Sequence, residues 1–383
     1  MEFGLYVHIP FCASRCPYCD FTVTVTRRRP EKEYAAALVA ELGARWNAGP
    51  WPDAGVRSVY FGGGTPSLVD PAMIENVLLE ARRLAGPRFT PREITLEANP
   101  EGLDVHALKV WRRLGVDRLS LGAQSFKPEH LAFLGRTHRA VDIRAASQAA
   151  RAAGFSNVSL DLIFGLPDQT IADLERDLEE ALALGPDHLS CYSLTMEPST
   201  AHGRAWKAKK FVLPDEEQQA EMITLIVSRL SKAGLDRYEI SNFAREGYAS
   251  VHNRHYWLRE SYLGIGTGAH SFIASPEGGV RWWNLRDHRR YIQLALQGRS
   301  CVEQEERLSA VDARREWIFL RLRGVEGFCR REFRTLFGAD PGEAFPGVLR
   351  PLVEAGLLSV RGGRIALTEE GRLLADEVFL SFF

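Results

Sequence analysis

Short apolar runs alternate with longer stretches of helical periodicity through the first two-thirds of the chain. Leu5–Ile9, Val56–Phe61, Glu93–Ala98, Arg118–Leu121, Ser156–Phe164 and His188–Leu194 read as strands, too short for helices and bounded by turn residues. Between them, Glu31–Trp46, Pro71–Leu84, Asp104–Leu114, Val141–Ala153 and Ile171–Leu184 read as helices, and Asp215–Ala233 follows the last strand as another. The helix ends carry their own signals. Asp70 precedes Pro71 at a helix start, and Gly115, Gly154, Gly185 and Gly234 follow helix ends. Six strand–helix units in a row predict an α/β fold of parallel strands joined by right-handed crossovers. A doubly wound open sheet and a barrel, whole or partial, both satisfy that pattern. The polar clusters separate them. The loop Cys12 to Cys19, Gly62–Pro66, Glu97–Pro100, Gln124-Ser125 and Gly165–Pro167 all follow the C-terminal ends of successive strands. One site assembled from many strand ends is the logic of a barrel. Six units predict a partial (β/α)6 barrel, open at one side.

The pattern changes after residue 235. Residues 1–235 make the barrel, 236–304 a connecting segment, and 305–383 a separate tail. Tyr238–Phe243 predicts one more strand, and His252–His270 is rich in aromatic residues and histidine. In the tail, Ser309–Leu322, Cys329–Phe337 and Phe345–Ala355 read as helices. Leu357–Val360 and Arg364–Leu367 flank Gly362 and Gly363 as a tight hairpin, and a last helix starts at Glu369. Helices followed by a small hairpin predict a mostly helical, winged-helix-like domain.

Composition narrows the function classes. The chain is 45% apolar and 25% charged, as an ordinary folded protein is. No apolar run approaches a membrane span, and the first residues lack the basic start and apolar stretch of an export signal. The expected compartment is the cytoplasm, with peripheral contact at a membrane compatible with it. Basic residues number 48 and acidic ones 49, so bulk charge argues for no nucleic-acid partner. The tail adds none, since it holds no concentrated basic helix; it reads as a lid or docking domain. Arg27-Arg28-Arg29 reads first as a solvated loop before a helix, and second as a basic edge for an anionic ligand or membrane surface.

Of six cysteines, Cys12, Cys16 and Cys19 crowd into eight residues, while Cys191, Cys301 and Cys329 lie far apart. A disulfide framework does not have that distribution in a large chain without an export signal. Thiolates in C-x3-C-x2-C spacing on one tight loop suit an iron–sulfur cubane, one iron each, with the fourth iron left open. Zinc is the competing reading. It needs a fourth ligand, which Cys191 or His8 could supply.

C-x3-C-x2-C with Tyr18 before its last cysteine resembles the signature of radical S-adenosylmethionine (SAM) proteins. The surrounding Tyr6-Val-His8-Ile-Pro-Phe-Cys12 is similar to the branch containing oxygen-independent coproporphyrinogen III oxidase. Gly62–Ser67, Glu97–Pro100, Gln124–Phe126, Gly135–His138 and Asp161–Pro167 match that branch in order. The resemblance implies a radical SAM barrel with a [4Fe–4S] cluster on Cys12, Cys16 and Cys19. It also implies SAM contacts from Tyr6, Glu97, Gln124, Arg136 and Asp161, with the backbone of Tyr18 facing adenine. From the residues themselves, Gly63, Gly64 and Thr65 permit close approach to the methionine part of SAM. Strand-end Glu97 suits a ribose hydroxyl or an ammonium group. Their plainer readings are a neighbour of a helix cap for Glu97 and a structural salt bridge for Arg136.

Two features depart from the oxidase. That enzyme has a further cysteine two residues after the third, where this chain has Phe21, and a longer segment before the cysteines, where this chain has eleven residues. Both argue against oxidative decarboxylation of coproporphyrinogen III. Cys16-Pro-Tyr-Cys19-Asp-Phe21 is similar instead to the haem chaperones of this branch, and His252-Asn253-Arg254-His255-Tyr256-Trp257 fits their H-N-x-x-Y-W pattern. This resemblance implies haem binding and delivery to apo-haemoproteins, membrane-bound respiratory enzymes among the acceptors. His252 is then a candidate axial ligand, with Tyr256 and Trp257 flanking the macrocycle. Without the resemblance, the same stretch reads as an aromatic loop packed on the barrel. The alternatives are a porphyrin-modifying radical SAM enzyme such as the oxidase, and a zinc-stabilised regulator.

Overall fold

The structure, a computed structural model, describes residues 2–383. Its centre is a run of parallel strands in chain order: Glu2–Ile9, Gly55–Gly63, Phe89–Ala98, Arg118–Gln124, Asn157–Phe164 and His188–Ser193. The expected helices lie between them. Asp70 caps Pro71–Ala85 by accepting from Ala72 N at 2.9 Å, and Thr170 and Asp173 form a reciprocal capping box at the start of Ile171–Ala183.

Strand alternation divides the molecule into two interiors. On the first strand, Phe3, Leu5, Val7 and Ile9 have no exposed surface and pack in the core beneath the helices. The intervening Gly4, Tyr6 and His8 face the other way, as period-two geometry requires. Ser58, Tyr60, Thr95, Glu97, Ser120, Ser159 and Asp161 continue that inner face on later strands, so the barrel lining is polar while its outer layer is apolar.

The sheet does not stop at residue 235. Tyr262–Ile265 pairs parallel with the first strand as a seventh parallel member, followed by antiparallel His270–Ser275, Gly278–Asn284 and Val302–Leu308. At the opposite edge, Asn242–Ala244 runs antiparallel to His188–Ser193 and pairs with Asp236–Arg237. The result is one open twelve-stranded sheet. The segment 236–304, expected as a connection, supplies strands to both its edges. The single strand expected over Tyr238–Phe243 is two short ones, because Glu239 turns the chain inward; its carboxylate accepts from Ser241 N (2.8 Å) and Asn242 Nδ2 (2.6 Å). His252 to Trp257 lies within a helix, Val251–Trp257, not a loop. Its N-terminus is held by Glu93, which accepts from Ser250 Oγ (3.2 Å), Val251 N (3.1 Å) and His252 N (3.1 Å).

The tail has its own core of Trp317, Ile318, Phe328, Phe333, Ile365 and Phe379, under a three-stranded sheet of Phe328–Cys329, Arg364–Leu367 and Leu358–Arg361. The final helix is broken at Leu374 into Glu369–Leu373 and Ala375–Leu380.

Candidate functional site

A cavity of about 530 Å³ opens at the C-terminal ends of the parallel strands, a size typical of cofactor clefts. Cys12, Cys16 and Cys19 line its rim, and Tyr18, Gly63, Gly64, Thr65, Glu97, Gln124, Arg136 and Asp161 line its walls. Tyr6 is the exception among the expected SAM residues. It is not part of the lining, and its hydroxyl donates to His8 Nδ1 at 3.1 Å. His8 Nε2 in turn donates to the Thr22 carbonyl at 2.7 Å, which ties down the far end of the cysteine loop. Burial lowers the His8 pKa to about 4, keeping the ring neutral for both bonds.

The glycines explain how the loop reaches this rim. Gly63 has φ +109°, and a side chain there would collide with the His8 ring; one at Gly64 would collide with the Pro10 backbone. That closeness lets Gly64 N donate to Ile9 O (2.8 Å) and Thr65 N to Phe11 O (2.9 Å). Gly63 N donates to Glu97 Oε2 at 3.1 Å. All three amides are thus engaged within the protein, and these residues offer the cavity a low wall. The Thr65 hydroxyl donates to Cys12 Sγ at 3.6 Å.

Glu97 also accepts from the Tyr60 hydroxyl at 2.7 Å. Burial, then the charge of Asp161, outweigh these bonds and raise its pKa to about 7. Asp161, likewise raised by burial, accepts from Ser120 Oγ at 3.2 Å to each oxygen. Arg136 donates from Nη2 to Asn99 Oδ1 (2.7 Å) and Gly122 O (3.0 Å), and from Nη1 to Cys16 Sγ (3.5 Å). Its Nε is buried without a partner. Gln124 holds φ +66°, a costly conformation for a residue other than glycine and one that clusters at binding sites.

Two family models match the chain. Residues 6–181 match the radical SAM superfamily and residues 308–374 match the HemN C-terminal domain. The curated "Heme chaperone HemW" of Bacillus subtilis is 36% identical, with 98% of each chain covered. The protein of the same name from Escherichia coli is 34% identical, covering 99% of this chain and 98% of the relative. The chain belongs to the HemW family of radical SAM proteins. Among solved structures, the Escherichia coli coproporphyrinogen III oxidase HemN, described as a radical SAM enzyme, superposes with a TM-score of 0.84 at 26% identity, covering all of this chain and 90% of that one.

Membership of the radical SAM superfamily implies a [4Fe–4S] cluster and SAM, and the cavity of this HemW-family chain fits both. Cys12, Cys16 and Cys19 all border this cavity. A cubane needs thiolates set apart, each on its own iron. Neither residue considered as a fourth zinc ligand is available: His8 is bonded at both nitrogens and Cys191 is buried within the sheet. For SAM, Glu97 and Asp161 supply carboxylates to a ligand of net positive charge, and Arg136 an unused donor.

The H-N-x-x-Y-W residues occupy a different place from the one expected. His252 is 1% exposed; Ser58 Oγ meets its Nδ1 at 2.9 Å and the Tyr256 hydroxyl its Nε2 at 2.9 Å. With both nitrogens taken and the ring stacked on Tyr60 at 5.0 Å, it has no lone pair to offer iron. Trp257 lies under the Arg323 guanidinium of the tail, 4.4 Å from its carbon. The three residues brace a helix that plugs the barrel and ties it to the tail. The motif member that does reach the cavity is Asn253. Arg118 also lines it, 2% exposed, its Nε 3.8 Å from Glu93 Oε2. Sequence reasoning missed both, along with Tyr60 and Ser120. The available signal was inner-face register with Glu97 and Asp161 on neighbouring strands.

Proposed function

We propose that this chain is a haem chaperone: it holds a [4Fe–4S] cluster on Cys12, Cys16 and Cys19, binds SAM in the adjoining cavity, binds haem, and passes the haem to apo-haemoproteins, membrane-bound respiratory enzymes among them. The observation that carries the reading is likeness to curated haem chaperones along nearly the whole chain. When bound, the cluster and SAM supply one-electron chemistry at a sulfonium. The chain's own residues do the rest. Tyr60 and Gly63 N orient Glu97, Ser120 orients Asp161, and Arg136 bridges the cysteine loop to Asn99. The His8–Thr22 bond fixes the loop on the strand ends, and the helix Val251–Trp257 closes the barrel away from solvent.

The test is haem loading of anaerobically reconstituted protein, then transfer to an apo-cytochrome followed by its absorption band. Saturable loading and complete transfer support the chaperone; failure of the acceptor to gain haem overturns it. The fold likeness to HemN favours a second reading, oxidation of coproporphyrinogen III. Product formation from that substrate with SAM and a reductant would establish it instead.

A further inference from the structure

The haem reading, on which this inference rests, needs an imidazole that is reachable and not already spent. The chain has ten histidines. His8, His130, His138, His188, His252 and His255 are buried. His202 and His288 are half-buried, each with one nitrogen engaged, at the Phe133 carbonyl (2.8 Å) and the Thr24 hydroxyl (3.3 Å). His106 and His270 remain, both exposed. His106 sits in the first turn of the helix Val105–Leu114, on the helical layer.

His270 is placed differently. It opens the strand His270–Ser275 and stacks on Trp283, its partner across the ladder, at 5.4 Å and 20°. Ring stacking fixes the plane of the imidazole without consuming a nitrogen. Partial burial, then the charges of Arg281 and Arg286, lower its pKa and favour the neutral, ligating form. Two residues earlier, Gly268 packs so closely on Thr22 that a side chain there would collide with it, and Thr24 meets His288. The segment Thr22–Val25 therefore runs past Gly268 and His288, near the start of this strand. It is flanked by Phe21, 69% exposed, includes Val25, 52% exposed, and continues into Arg27-Arg28. Arg286 is exposed beside His270. Exposed apolar side chains, an unspent imidazole and a basic border together match a flat metalloporphyrin with anionic edges.

We propose that haem docks on this face, with His270 as the axial iron ligand, Phe21 and Val25 against the macrocycle, and Arg286 with Arg27-Arg28 toward the propionates. The role assigned by sequence to His252 moves to an exposed position at the start of the strand His270–Ser275, third from one end of the same sheet.

Ferric haem titrated into the full chain tests this in wild type, His270→Ala, His106→Ala and His252→Gln, read by the Soret band and electron paramagnetic resonance. His270 is exposed, so its replacement leaves folding intact. Wild type, His106→Ala and His252→Gln should share one imidazole-ligated spectrum. His270→Ala should lose it and bind on the order of tenfold more weakly or worse, and free imidazole should restore the band in His270→Gly. An unchanged spectrum and affinity in His270→Ala overturns the assignment, as does loss of the signature in His252→Gln alone. Absence of saturable haem binding in wild type overturns the haem reading itself, a result distinct from either.

Discussion

Glu97 gives the sharpest test of the cavity's electrostatics. In the ligand-free protein its pKa is raised from an ordinary 4.5 to about 7, first by burial and next by Asp161. The folded state thus keeps a proton that the unfolded chain releases. Stability contributed by that proton is present in acid and lost as pH rises from 4.5 through 7; above that window the loss is about 3 kcal/mol. Glu97→Gln removes the ionisation and keeps the geometry, because the amide oxygen can accept from Gly63 N while the amide nitrogen donates to the Tyr60 oxygen. Urea unfolding of cofactor-free protein should show the variant more stable than wild type at pH 8, by up to about 3 kcal/mol, and equal to it near pH 4. SAM binding should respond in the opposite sense. A cationic ligand favours the ionised carboxylate, so wild-type affinity should fall about tenfold per unit below pH 7, while the variant binds weakly with a flat profile. A variant no more stable than wild type at pH 8 would refute the reasoning.

Tyr60→Phe removes the 2.7 Å bond that holds Glu97 down, so the midpoint of the pH profile for SAM affinity should move up; an unmoved midpoint contradicts that role. His252→Ala empties a buried site and strips Ser58 and Tyr256 of their partner, and unfolding without haem should show a loss of about 3 kcal/mol. Equal stability would mean that His252 is no brace. Trp257→Ala deletes the contact with Arg323, worth about 1–2 kcal/mol when partly desolvated, and should speed limited proteolysis between barrel and tail; unchanged cleavage would contradict the coupling.

The parts legible in the sequence were those with a periodic or chemical signature. The six strand–helix units carry clear turn residues, and the polar residues at their ends mark one rim. The barrel's inner face was less legible. Arg118 and Glu93 look like surface charges at strand starts, and only inward register and closure by a distant helix bury them. The helix Val251–Trp257 escaped notice because seven residues of mixed aromatic and basic character show little amphipathic periodicity, and its stability comes from Glu93 across the barrel. The antiparallel strands after residue 262 lack a clean apolar–polar alternation: Gly278–Asn284 opens on two glycines, and Val302–Leu308 is mostly charged and exposed. His252 shows how a motif can mark a structural need: its residues fit a ligand set by type, yet each hydrogen-bonding atom of the imidazole already has a protein partner.

The most direct measurement is magnetic resonance of the anaerobically reconstituted, reduced protein with and without SAM, alongside iron and sulfide analysis. About four irons and four sulfides per chain, with a cluster signal that shifts when SAM is added and vanishes in Cys12→Ala, Cys16→Ala or Cys19→Ala, is the expected result. One zinc per chain, or a cluster signal indifferent to SAM, would contradict the account.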